Sequence, residues 1–306
     1  RFLSLYLLMA LGLKGGFALS QSGLTAQVGI SLAAAIALAI CIPLMGYWIL
    51  SRFISGFDAA AVAATYGSVS AVTFVTAVQY LENAGVPYGG HMAAAMALME
   101  SPAIIMAVVF ANVLRQSKGN TSVALGDVVT TKEGRSVPST MKVGKILHES
   151  FTDGAQLLLL GAMLVGLMTG EAGKTAMQPF SGDLFKGMLS FFLLDMGLMA
   201  ARNLPKARGH SPVLMAYAVL GPLTHASLAL ALAVLLSLPV GDGALLMVLA
   251  ASASYIAVPA VVRYAIPEAK ASLYFGLSLG VTFPLNIIFG IPIYVDLANH
   301  VWRLGA

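Results

Sequence analysis

Apolar residues run along this chain in blocks of about 20, separated by short polar stretches, the pattern of helices crossing a ~30 Å hydrocarbon core. Alternation over about ten residues, the signature of barrel strands, does not recur. The pattern predicts nine spans, at residues 1–17, 27–51, 57–82, 88–115, 146–170, 184–202, 211–238, 241–266 and 269–299. The chain opens on Arg1 and passes straight into FLSLYLLMALGLKGG. That stretch reads as a first span rather than a leader, because no small-residue cleavage site follows it in polar sequence.

Composition agrees. Of 306 residues, 58% are hydrophobic and 10% charged, against about 25% charged in soluble domains. Cys41, the lone cysteine, has no partner for an internal disulfide. The formal net charge of +4 leaves no nucleic-acid footprint, and its distribution says more than its sum. The longest polar stretch, residues 115–145, carries six Lys/Arg against Asp127 and Glu133, which puts it in the cytoplasm by the positive-inside rule. Alternation then brings Arg52, Arg202, Lys206, Arg208, Arg263 and Lys270 to the same side. LENAGVPYGG, with no Lys or Arg, falls outside.

Three segments recur in order. FLSLYLLMALGL at 2–13 resembles MLSFFLLDMGLM at 188–199; SVSAVTFVTAVQY at 68–80 resembles SASYIAVPAVVRY at 252–264; MESPAIIMAVVF at 99–110 resembles VTFPLNIIFGIP at 281–292, aligning Pro102 with Pro284. An odd number of spans separates the partners, so the copies face opposite ways, as in many secondary transporters. The expected fold is an all-α membrane protein with an inverted five-plus-five repeat. Residues 1–115 form the first repeat without its first helix, 116–145 a basic cytoplasmic loop, and 146–306 the second repeat. A further helix before Arg1 is expected.

The serine pairs lie near the middle of spans 57–82 and 241–266, among Gly67, Ser68, Ser70 and Thr73 in one and Ser252, Ser254 and Pro259 in the other. Proline sits best in the first turn of a helix, so each span is expected to break and restart, near residues 72 and 256. Because the spans run in opposite directions, their second halves would point two helix N-termini at one midplane site. Unpaired N–H groups, the positive dipole ends and serine hydroxyls would together hold a small anion without a buried lysine or arginine. Gly67, Ser68, Ser70, Thr73, Ser252 and Ser254 are the candidate substrate ligands. The competing reading is a pair of kinks whose serines bond to their own backbone.

Glu100, beside Pro102, could ligate sodium, carry a coupling proton or bond a neighbouring helix. Thr282 and Asn286, near Pro284, could offer oxygens to a cation. Asp195 reads as an interhelical contact, and His91 and His225 as hydrogen-bonded packing residues. With no His/Cys cluster of metal spacing and no nucleophile–base set, an enzyme is not expected.

LGLKGGFALSQSGL (11–24), YGSVSAVTF (66–74), MESPAIIMAVVFANVL (99–114) and AASASYIAVPAVVRYAIP (250–267) together resemble the sodium-dependent bicarbonate permease family. The resemblance implies ten spans divided into core and gate domains, a homotrimer in the cell (inner) membrane, bicarbonate held between two broken helices with sodium beside it, and a PII-like cytoplasmic regulator. It matches Gly67, Ser70 and Thr73 to the first substrate loop, Ser252 and Ser254 to the second, and Glu100 to an acidic residue before x-Pro. The chain departs from the family at Tyr255, where the family has an aspartate. The reading that follows is a secondary transporter taking up bicarbonate or a similar small anion with sodium by an elevator-type movement. The alternatives are a proton-coupled or uncoupled carrier of another anion, and a membrane sensor signalling through 115–145.

Overall fold

A computed structural model of the chain describes residues 2–23, 25–119, 154–207 and 211–305. Among them every regular element is helical. A segment in hydrocarbon has no water to bond its N–H and C=O groups, and a helix satisfies them within itself. The helices are α1 Phe2–Ser22, α2 Ala26–Leu50, α3 Gly56–Gly67, α4 Ala71–Ala84, α5 Met92–Gly119, α6 Gly154–Met177, α7 Leu184–Ala207, α8 Pro212–Leu235, α9 Val240–Ala251, α10 Ala257–Ala265, α11 Ala271–Leu277 and α12 Ile291–Gly305.

Among the described residues, seven stretches are long and apolar enough to cross a membrane. The expected fifth and sixth spans correspond to α6 and α7, which are joined into one continuous helical stretch, Leu157–Leu204. Its direction changes at Gly170, whose φ of 55° and ψ of −137° leave the helical path and suit a residue without a Cβ. Wide π-type turns follow at Gln178–Asp183. The expected eighth span is the short apolar helix Val240–Ala251 followed by α10. The ninth is wound unevenly, with π-type turns at Ser278–Thr282 and Asn286–Gly290 on either side of Pro284. Pro284 has no N–H for the carbonyl one turn earlier, and widened turns absorb that loss. Most of the basic stretch 115–145, together with residues 146–153 of the expected fifth span, lies outside the described residues.

Packing sorts the helices. Every residue from Phe57 to Gly67 and from Gly241 to Ala251 is buried, as befits helices apolar on all sides. Helix α2 instead exposes Ile36, Ile40, Leu44 and Trp48 on one side, a face for lipid. Helices α1 and α6 approach through glycine: a Cβ on Gly12 would lie 2.3 Å from the Leu159 carbonyl oxygen and one on Gly16 2.1 Å from that of Met163. The order of these contacts makes the two helices parallel, and small residues bring their backbones together. Asp195 of α7 is exposed in the single chain, flanked by the exposed Leu194 and Leu198.

Charged pairs mark two opposite ends of the molecule. At one end Lys14 Nζ pairs with Glu82 at 3.1 Å, and the Tyr88 hydroxyl donates to the same carboxylate at 3.0 Å. At the other, Arg115 pairs with Glu268 at 2.8 Å.

Candidate functional site

Both serine-bearing spans are broken where their composition predicts. Helix α3 ends at Gly67 and α4 begins at Ala71, leaving Ser68, Val69 and Ser70 outside helical geometry. Helix α9 ends at Ala251 and α10 begins at Ala257, with Ser252 through Ile256 between them. Pro259 is the third residue of α10, inside its first turn, where a missing N–H costs nothing. Gly67 is forced by a neighbour. A Cβ there would lie 2.6 Å from the Pro43 ring of α2.

The breaks meet. The Ser70 N–H donates to Ser252 Oγ at 3.0 Å, and the Ser254 N–H donates to the Thr65 carbonyl at 2.8 Å. Ser252 Oγ passes its own proton to the Leu249 carbonyl at 2.9 Å. Each loop therefore bonds to the final turn of the other segment's first half-helix, directly in one direction and through a serine hydroxyl in the other. The six candidate ligands gather here, and Ser68, Ser70, Thr73, Ser252 and Ser254 are all at most 4% exposed.

Proton accounting shows what the junction has left to give. Ser70 Oγ caps α4, accepting from the Thr73 N–H at 3.2 Å and from the Thr73 hydroxyl at 3.0 Å. Both its lone pairs are used, so its own O–H remains a donor. Ser254 Oγ accepts from the Val258 N–H at 3.3 Å and keeps its proton as well. Two further hydroxyls, those of Ser68 and Tyr255, are buried with no hydrogen-bond partner. Tyr255 packs edge-on against Phe283, its hydroxyl turned toward Ser70. Four O–H donors thus surround the starts of two helices. Donors of this kind at helix starts are the chemistry that attracts a negatively charged group.

Thr282 and Asn286 brace the junction. Asn286 Nδ2 donates to the Ala251 carbonyl, freed by the end of α9, at 2.8 Å, while its Oδ1 accepts from Tyr294 at 3.1 Å. Thr282 donates to the Ala218 carbonyl at 2.8 Å and accepts from the Tyr66 hydroxyl at 2.6 Å. His225 lies fully buried beside the Ala250 backbone, packing against Tyr217. Glu100 is half-buried on α5, next to the buried Ser101. His91 packs beside Asp242 rather than at the junction, with Nε2 3.6 Å from the carboxylate.

Two aspartates escaped the sequence reading. Asp58, in the first turn of α3, accepts from the Lys270 N–H at 2.8 Å. Asp242, in the first turn of α9, accepts from the Gly89 N–H at 2.6 Å. Each carboxylate holds the loop that trails the other broken segment. The signal was present, because Asp58 and Asp242 stand 184 positions apart, the same offset as Ser68 and Ser252.

The sequence model of one family, described as the Na+-dependent bicarbonate transporter superfamily, matches residues 1–299. The chain belongs to that family. Membership in the Na+-dependent bicarbonate transporter superfamily makes it a transport protein of anions rather than an enzyme, and the long apolar helices make it a multi-pass membrane protein. A search of curated proteins gave no significant match.

Proposed function

We propose that this protein is a secondary active transporter that takes up bicarbonate with sodium, binding the anion at the junction of α3–α4 with α9–α10. The observation that carries the reading is the meeting of two helix breaks at the Ser70–Ser252 bond of 3.0 Å, with unspent hydroxyl protons around it. In this reading Ser68, Ser70, Ser254 and the first amides of α4 hold the oxyanion. Gly67 lets α2 close behind it, and Thr73 and Ser252 hold the loops in place. A monoanion desolvated there is compensated by fixed dipoles and by the accompanying cation.

The reciprocal bonds of Asp58 and Asp242, at positions related by the offset of the serines, favour an inverted repeat. The two broken segments would form a core that moves against a gate built partly from α1, α6 and α7. Sodium oxygens would come from carbonyls freed at the breaks, with Thr282 and Asn286 near them, while Glu100 is the candidate carboxylate for a coupling cation or proton. The exposed Asp195 favours burial of that face of α7 against another copy of the chain, as in a homotrimer.

The test is flux. Purified protein in proteoliposomes should accumulate labelled bicarbonate under an inward sodium gradient and lose that uptake roughly tenfold or more in Ser70→Ala and Ser254→Ala, the size of a hydrogen bond to a charged group. Uptake that ignores sodium would move the coupling to protons and to Glu100. No uptake of any small anion would end the transport reading.

A further inference from the structure

The Tyr255 hydroxyl is the odd group at the junction. It is held in the loop between α9 and α10 on a residue 5% exposed. Its ring is fixed against Phe283 with centroids 5.4 Å apart at 69°. Yet the one polar atom of the side chain completes no bond within the protein. A phenol in such a place normally finds a partner, because burying a polar group unpaired is costly. The Ser70 hydroxyl toward which it turns has both lone pairs taken by Thr73, so a bond between the two can only run from Ser70 to the phenolic oxygen and leaves the Tyr255 proton without an acceptor. Ser68, 1% exposed, is left in the same condition. Two orphaned donors therefore lie in the two loops that meet at the junction, ahead of the starts of α4 and α10.

We propose that Tyr255 is an anion ligand, its phenolic O–H donating to the bound oxyanion alongside Ser70 and setting the anion affinity of the site. The inference rests on the transport reading above and deepens it. A phenol is a stronger donor than a serine hydroxyl and carries no charge, so it attracts an oxyanion where a carboxylate would repel it. Its ring fixes the direction of the bond, because packing on Phe283 leaves only rotation of the O–H. The bound anion then gains a directed contact that a monatomic halide, with its single centre, shares less well with Ser68 and Ser254. The group that suffers in the empty protein is the group rewarded in the occupied one.

The experiment compares wild type, Tyr255→Phe and Ser70→Ala in purified protein, with sodium bicarbonate as the probe. Tyr255→Phe keeps the ring and removes an unpaired hydroxyl. Without anion its thermal midpoint should therefore equal or exceed that of wild type. Its bicarbonate affinity should fall about 10- to 100-fold, with the stabilisation by bicarbonate falling in step. Wild type should also give a tyrosine difference spectrum on adding bicarbonate that is missing in Tyr255→Phe, a signature independent of stability. Unchanged affinity in Tyr255→Phe alongside lost binding in Ser70→Ala would overturn this role while leaving the site standing. A lowered midpoint with full bicarbonate affinity would make the hydroxyl structural and equally overturn it. Absence of bicarbonate binding in wild type would remove the transport reading itself.

Discussion

Gly67 and Pro43 form a contact between a residue without a side chain and one whose ring cannot fold away. A methyl group at 67 would meet three ring carbons at 2.6 to 2.8 Å, and neither helix has a rotamer with which to yield. Gly67→Ala should therefore cost about 1–3 kcal/mol, the usual range for overpacking. A lowered thermal midpoint would register that cost, and most of it should return in the double variant with Pro43→Ala. Sequence could flag Gly67 as a weak point in a helix, but not the proline of another helix that makes it necessary. The serines were more legible. Ser70 and Ser254 stand just before the restarted helices, where hydroxyl side chains cap a first turn, and both do so. Tyr255 was visible only as a departure from a family pattern, because an orphaned proton depends on what every neighbour has already accepted.

At the scale of the element, the broken segments are tied at their far ends as well as at their breaks. The tie at Asp242 differs from that at Asp58 by the presence of His91. Burial pushes the His91 imidazole below its ordinary value, against the opposing pull of the Asp242 carboxylate. A histidine whose folded value is lowered holds its proton more readily when unfolded. Its stability contribution is therefore complete above about pH 6.5 and declines as pH falls from there toward the folded value. Thermal midpoints measured from about pH 8 down to about pH 5 should drop more steeply for wild type than for His91→Gln, which removes the titrating group. Parallel curves would show that His91 only fills space. The breaks themselves were readable from serine, glycine and proline in long apolar runs. The π-type turns around Pro284 were not, because a proline in such a run is equally compatible with a kink, a break or a widened turn, and the neighbouring helices decide among them.

For the whole molecule, the parallel pair α1 and α6 is a test of how much packing rather than hydropathy holds the bundle. Lipid is as apolar as the side chains, so helices associate through close fit. Gly16→Val would set a side chain against a backbone oxygen only 2.1 Å from the new Cβ, and should lower the midpoint by several degrees. Gly29→Ala, with nothing within 4 Å, should be neutral or raise it slightly, since alanine is the better helix former. Equal effects would mean that α1 and α6 do not depend on their close approach. Hydropathy gave nine crossings but not that helical winding runs on between the fifth and sixth through Leu157–Leu204, since Glu171, Lys174 and Asp183 interrupt the apolar pattern there without ending the helix. The reciprocal grip of Asp58 on Lys270 and of Asp242 on Gly89 has a mechanical corollary. Two rods, each hooked at its root to the far tip of its fellow and touching at their gaps, cannot be pulled apart like scissor blades. On the proposed transport reading, cargo lodged between them would ride with both, as a passenger in a closed cabin rather than one handed from one door to the next.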